Sequence, residues 1–260
     1  MSTVLQNEIA QWLKEYARSA EVDCFVVGVS GGVDSAVAST LCALTGIDTH
    51  VVNIPIYSKT KNTSLSEMHC RWLKQNFSNV HSTFIDATSA FGGFEEIFVG
   101  LEIHNDLASA NSKSRMRMMI LYYMAGANNG LVVGTGNKVE DFGVGFYTKY
   151  GDGGVDISPI ADLTKTQVRE LAATLGIREE IVTAPPTDGL WEDARTDEQQ
   201  IGASYEELEW AMQHIQAGNE VRLTARQQDV LKIYQKFHTK NKHKMLSIPI
   251  FSVSTHQSKS

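Results

Sequence analysis

Six consecutive residues, Ser30-Gly31-Gly32-Val33-Asp34-Ser35, place two glycines, two hydroxyls and a carboxylate between an apolar run and a helix-like pattern of small residues. Glycines in such a turn let backbone N–H groups close around an anion, and the helix that follows adds the positive end of its dipole. Ser30 and Ser35 contribute further donors. The chemistry of the turn is therefore phosphate binding. Asp34 would repel a bare phosphate, but it fits as a ligand of a divalent cation. Mg²⁺ takes one or two carboxylates and fills its octahedron with phosphate oxygens and water. The plainer reading is a tight strand–helix turn with Asp34 near the helix start, a role that does not call for the whole string.

Two familiar phosphate loops do not match. A Walker A loop needs G-x-x-x-x-G-K-[ST], and no lysine follows these glycines. A dinucleotide fingerprint needs G-x-G-x-x-G, and Ser30 stands where the second glycine would follow Gly28.

The elements that must hold this loop can be read along the chain. Residues 4–17 place Val4, Ile9, Trp12, Leu13 and Tyr16 at helical spacing. "DCFVVGV" is a strand that is apolar on both faces, and the helix after the turn runs to Leu44, with Gly46 as its stop. Strands follow at 50–56, 81–86 and 130–136, and helices at 64–76, 106–128 and 162–176. Ser64 and Glu67 read as a capping box. Further helices are expected over 204–216 and 224–238, and a frayed tail at the C-terminus. The alternation αβαβαβαβα predicts an α/β fold, an open and mostly parallel sheet with helices on both faces. Ligands of such sheets bind beyond the carboxyl ends of the strands, where the Ser30–Ser35 loop lies. Residues 136–160 and 184–203 form long aperiodic stretches of the kind that carry function.

Composition narrows the class. The 260 residues suffice for one large domain, and a formal net charge of −7 argues against phosphate-driven nucleic-acid binding. Cys24, Cys42 and Cys70 form no CxxC pair and read as buried reduced thiols. The histidines form no cluster. With no signal pattern and no apolar run of membrane length, the expected compartment is the cytoplasm, with no membrane partner.

The "SGGVDS" string resembles the pyrophosphatase loop of the N-type ATP pyrophosphatases, which cleave ATP between its α and β phosphates. Four further stretches narrow the resemblance to the ammonia-dependent NAD synthetase family. They are "NSKSRMRMMILYYMA" at 111–125, "VVGTGNKVEDFGVGFYTKYGDGGVDISPIADLTKTQVRELAATLGI" at 132–177, "PPTDGLW" at 185–191 and "HKM" at 243–245. Asp188 stands where the family carries alanine, and residues 61–70 lack the acidic stretch of its adenine side.

The resemblance implies an adenine nucleotide alpha hydrolase-like, Rossmann-like three-layer fold. It also implies a single NAD synthetase domain over 1–260, with a helical extension over about 204–250. The reaction it implies is amidation of deamido-NAD to NAD by ammonia through an adenylated intermediate, releasing AMP and pyrophosphate. Gly28, Val29, Ser30, Gly31, Gly32, Val33, Asp34 and Ser35 would cradle ATP, with Thr135, Lys165 and Thr187. Asp34 and Glu140 would hold Mg²⁺. Arg115, Lys149, Asp156, His243 and Lys244 would contact deamido-NAD. Asp152 would sit near the incoming ammonia and, with Lys165, serve catalysis.

Each of these has a plainer reading. Glu140 could be a solvated loop acid, Lys165 a first-turn lysine, Arg115 an exposed helix charge, and His243 and Lys244 tail solubilisers. A first-turn lysine, however, opposes the helix dipole, which favours a ligand role for Lys165. Arg117 reads as structural. The family is homodimeric. Room for one helix before the first strand implies free ammonia as the nitrogen source, with a separate glutaminase partner left open. The alternatives are another ATP pyrophosphatase, such as a tRNA-modifying adenylating enzyme, and a non-catalytic nucleotide sensor. Net charge opposes the first, and the presence of both acids opposes the second.

Overall fold

Four short apolar runs, β1 (Cys24–Gly28), β2 (Asp48–Asn53), β3 (Val80–Phe84) and β4 (Gly130–Val133), form one sheet in the order β3-β2-β1-β4. The computed structural model describes residues 3–57, 61–103, 105–187, 190, 195–218 and 222–252. Every pairing is parallel. Phe25, Val26 and Val27 of β1 are fully buried, as a central strand covered on both faces requires. Val27 lies opposite Val51 on one side and Val133 on the other, so the carboxyl ends of three strands are level. The strand order reverses at β1, with β2 on one side and β4 on the other. That is the switch point at which such sheets open a ligand crevice.

Ten helices surround the sheet among the described residues: α1 (Thr3–Ser19), α2 (Val33–Leu44), α3 (Lys61–Asn76), α4 (Thr88–Glu96), α5 (Asp106–Ala127), α6 (Lys165–Thr174), α7 (Glu179–Val182), α8 (Asp197–Ile201), α9 (Tyr205–Ala217) and α10 (Ala225–Met245). One face of the sheet packs Phe25, Val27 and Val133 against Leu13, Val37, Leu41, Leu171 and Ile181. The other packs Cys24, Val26 and Val132 against Phe91, Met118, Leu121 and Ala125. The α/β class with both faces covered is as expected. A third cluster stands apart and joins α9 and α10 to a π-helical segment, Val139–Val144.

Several local expectations are corrected. Helix α3 begins at Lys61, so Ser64 lies inside it and does not cap it. Helix α1 buries the expected Leu13, with Ile9 packed against the core, but Ala10 and Ala17 are buried with it while Val4, Trp12 and Tyr16 stay exposed. Helix α6 starts at Lys165, with a Thr164–Gln167 capping box. Helix α8 and the π-helical segment fall in the two stretches read as aperiodic, and α4 and α7 fall where no element is expected. Helix α10 continues to Met245, and most of the expected tail lies outside the described residues. His50 and His81 stack across β2 and β3, with ring centroids 5.1 Å apart. The three cysteines are buried and free, and burial pushes the Cys70 thiol up to about 11. Among the described residues no helix is long and apolar enough to cross a membrane.

The β1–β4 pairing depends on a bare backbone at Gly130, which lies opposite Cys24. A methyl group there would come within 2.5 Å of Cys24 Sγ and 3.0 Å of its carbonyl oxygen. Overpacking of this kind costs about 1–3 kcal/mol. Gly130→Ala is therefore expected to lower the unfolding free energy by that amount, read as a lower urea midpoint with the m-value unchanged; a wild-type midpoint would show that β4 can shift to admit the methyl group.

Candidate active site

The turn after β1 is closed by its own serines. The backbone N–H of Ser30 donates to Ser35 Oγ at 3.2 Å, and the Ser35 hydroxyl donates to Gly32 O at 3.0 Å. The two serine hydroxyls lie 3.1 Å apart. Gly31 adopts φ +93°, a conformation that favours glycine. Gly32 takes the N-cap position of α2 with no side-chain cap, so the first amide groups of a twelve-residue helix open onto the turn. At the base of the turn, Gly28 has only Leu121 of α5 beside its Cα, 3.1 Å from where a Cβ would stand.

Three segments far apart in sequence meet at this mouth. Asp34 lies in the first turn of α2, Glu140 in the π-helical segment beyond β4, and Lys165 at the start of α6. The Lys165 ammonium is almost fully buried; it bonds Asp34 Oδ2 and lies 3.2 Å from Glu140 Oε1. Burial alone would lower its pKa, but the carboxylates of Asp34 and Glu140 outweigh this and hold it above the usual lysine range. Burial raises the pKa of Glu140, opposed by Lys165 and assisted by Asp34. Asn137, fully buried, donates to Asp34 Oδ1 at 3.2 Å. Its own carbonyl oxygen receives the N–H groups of Val139 and Glu140, both at 3.1 Å, and so fixes the start of the π-helical turn. Tyr205 donates its hydroxyl to Glu140 Oε1.

The carboxylates of Asp34 and Glu140 therefore converge on the Lys165 ammonium, and their oxygens are of the type that Mg²⁺ takes. Among the described residues no three His, Cys, Asp or Glu side chains gather to hold a metal. A hard ion at this place would complete its shell with phosphate and water.

Most of the residues expected at the acceptor end come together beside α5. Asp152 Oδ1 accepts from Ser114 Oγ at 2.7 Å and from Thr148 N at 3.0 Å. Arg115 donates to Lys149 O at 3.2 Å, Lys149 to His243 O at 3.1 Å and Lys244 to Tyr147 O at 2.6 Å. Burial lowers the Lys244 pKa, Asp152 opposes this, and Lys240 adds to it. Asp156 is placed differently: its carboxylate accepts Tyr122 OH at 2.9 Å and Val132 N at 2.8 Å, tying α5 to β4. Thr135 follows β4 in the segment that leads to Asn137. Thr187 bonds Arg195 O at 3.2 Å, and Asp188 and Trp191 lie outside the described residues. Arg117 donates to Ile54 O at 3.0 Å, tying α5 to the end of β2.

Asn137, Asp141 and Tyr205 carry no signal in the sequence that sets them apart. The Asp141 carboxylate packs against Gly136, within 2.3 Å of where a Cβ would stand. Burial, with Glu140, Asp152 and Asp34 nearby, pushes its pKa up to about 8. An acid raised in the folded state binds more protons folded than unfolded, so stability falls as pH climbs from about 4 to about 8. In metal-free protein, the Tm gain of Asp141→Asn over wild type should therefore grow between pH 5 and pH 9. A gain constant with pH would show that Asp141 titrates normally.

The chain that carries this turn, two acids and a lysine is similar to known proteins over nearly its whole length. The NAD synthase family model matches residues 5–247. The NH(3)-dependent NAD(+) synthetase of Methanocaldococcus jannaschii is 34% identical over 251 residues, covering 95% of this chain and 88% of that protein. That of Methanosarcina acetivorans is 33% identical over 249 residues, covering 94% and 96%. Among solved structures, an NMN synthetase from Francisella tularensis superimposes with a TM-score of 0.85 at 28% identity, covering 97% of this chain and 100% of that one. The NH3-dependent NAD synthetase from Campylobacter jejuni shares the fold, with a TM-score of 0.79 at 22% identity and the same coverage. Sequence match and fold agree, and the chain belongs to the NAD synthase family.

Proposed function

We propose that this protein converts deamido-NAD to NAD with ATP and ammonia, releasing AMP and pyrophosphate. The observation that carries the reading is the convergence of Asp34, Glu140 and Lys165 at the mouth of the Ser30–Ser35 turn. The nicotinate carboxylate oxygen attacks the α-phosphorus of ATP, and the bond to pyrophosphate breaks. The residues Gly28 to Ser35 hold the departing pyrophosphate with backbone amides and hydroxyls, and Lys165 balances its charge. Thr135 and Thr187 orient the nucleotide. Asp34 and Glu140 hold Mg²⁺, which when bound neutralises phosphate charge. Ammonia then forms the C–N bond at the activated carbonyl, and AMP leaves.

Asp152, fixed by Ser114 and Thr148, holds the incoming nitrogen as ammonium and accepts a proton from it. Arg115, Lys149, His243 and Lys244 bind the phosphates of the acceptor, and Asp156 contacts it beside them. Residues 1–260 act as one NAD synthetase domain in the cytoplasm. The exposed Met119 and Tyr123 lie one turn apart on α5 and give an apolar strip suited to a homodimer contact.

A second reading concerns the acceptor. The Francisella tularensis neighbour is named an NMN synthetase, and Asp156 spends its carboxylate on Tyr122 and Val132. Both observations favour nicotinate mononucleotide, which has the same reacting carboxylate and lacks the adenylate half.

The protein is to be incubated with ATP, Mg²⁺, ammonium and either deamido-NAD or nicotinate mononucleotide. Amidated product and AMP should appear in equal amounts, and the ratio of kcat/KM ranks the two acceptors. Formation of ADP, or turnover independent of both acceptors, would overturn the reading. Asp34→Asn should lower kcat roughly 10²–10³-fold with an unchanged circular dichroism spectrum. Full activity in that variant would remove Asp34 from the metal site.

A further inference from the structure

Tyr205 is fully buried at the start of α9, yet it reaches two separate parts of the phosphate mouth. Its hydroxyl donates to Glu140 Oε1 and lies 3.2 Å from Asp197 Oδ2. Its ring lies under the Lys165 ammonium, with the nitrogen 4.7 Å from the centroid. The residue is itself fixed from three sides. Ser204 and Glu207 cap its helix, Glu198 Oε1 accepts its backbone N–H at 3.1 Å, and its ring packs among Val139, Ile201 and Leu208. Asp197 in turn donates its backbone N–H to Pro186 O at 3.0 Å, next to Thr187. A buried phenol that contacts a candidate metal acid and the neighbouring cation at once is more than core filling.

We infer that Tyr205 is a positioning residue. Its hydroxyl aims the Glu140 carboxylate at the cation position, and its ring face holds Lys165 beside it. Groups that hydrogen-bond a metal ligand fix its orientation and typically govern metal affinity by about 10–100-fold. A cationic nitrogen over a tyrosine ring is held electrostatically as well as by contact. The two functions are separable, because phenylalanine keeps the ring and loses the hydroxyl. The inference rests on the reading that Asp34 and Glu140 hold the metal.

The test is a titration with Mn²⁺ as paramagnetic probe, in the presence of α,β-methylene ATP, read by EPR alongside steady-state kinetics. Tyr205→Phe should weaken Mn²⁺ binding by about tenfold while retaining kcat at saturating metal. Tyr205→Leu should lose both. In a Glu140→Gln background, Tyr205→Phe should add no further loss, since the hydroxyl acts through that carboxylate.

Wild-type Mn²⁺ affinity in Tyr205→Phe would overturn the inference, as would losses that simply add in the double variant. If Glu140→Gln also binds Mn²⁺ normally, the metal reading itself fails; if Glu140→Gln binds weakly and Tyr205→Phe does not, only the role of Tyr205 fails. Should Tyr205→Phe not fold, 3-fluorotyrosine at position 205 keeps the ring and makes its hydroxyl a stronger donor, at the cost of one added fluorine. Altered Mn²⁺ affinity in that protein supports the inference, and unaltered affinity overturns it.

Discussion

The ammonium of Lys165, held between Asp34 and Glu140, is the interaction on which the phosphate mouth depends. It joins the turn after β1, the segment after β4 and the start of α6, which lie far apart along the chain. A lysine in the first turn of a helix opposes the helix dipole, and burial adds a desolvation cost. Two carboxylates at hydrogen-bond range offset both. Removing one partner would leave a buried charge without compensation, so the three groups stand or fall together. Asn137 extends the constraint, since it bonds Asp34 with its amide nitrogen and anchors the backbone of Glu140 with its carbonyl oxygen.

The fold supplies this arrangement in layers. The sheet and its two cores level the carboxyl ends of β1, β2 and β4 and set the height of the turn. The π-helical segment then turns two acids inward while its flanking Val139 and Val144 enter the third core. π-helical turns recur at functional sites because the extra residue redirects side chains without ending the helix. Gly145, at φ +63°, closes this one, and a Cβ there would come within 2.5 Å of Asn241 of α10. The C-terminal helices thus seat the segment that carries Glu140.

What could be read in the sequence was mostly local. The parallel sheet follows from apolar runs alternating with helical patterns, and the anion turn from its own six residues. The meeting of Asp34, Glu140 and Lys165 is different in kind: spacing alone does not bring them together, and it entered through the resemblance. Tyr205 was not legible, because an aromatic at the first turn of an amphipathic helix looks like core, and it is core on all but its hydroxyl and one ring face. The π-helical segment has no period to detect. Helix α1 is legible in part: Leu13 and Ile9 do enter the core, but Ala10 and Ala17 share the buried face while Val4, Trp12 and Tyr16 stay exposed.

The two halves of the site solve opposite electrostatic problems. At the phosphate mouth two acids face one lysine, so an anion cannot enter favourably without its own countercharge. This is a physical reason for a metal–nucleotide complex, rather than the bare nucleotide, to be the species bound there. At the acceptor end Arg115, Lys149 and Lys244 are tied to neutral backbone carbonyls of one another's segments. These bonds are already charge-assisted on the donor side, and exchanging a carbonyl for an anionic phosphate oxygen would add the attraction of a full opposite charge. In the proposed reaction these three cations, and no metal, meet the phosphates of the acceptor. Asp152 lies between the regimes, held by neutral donors from α5 and its own loop. In the proposed reaction this fixed carboxylate receives the incoming nitrogen.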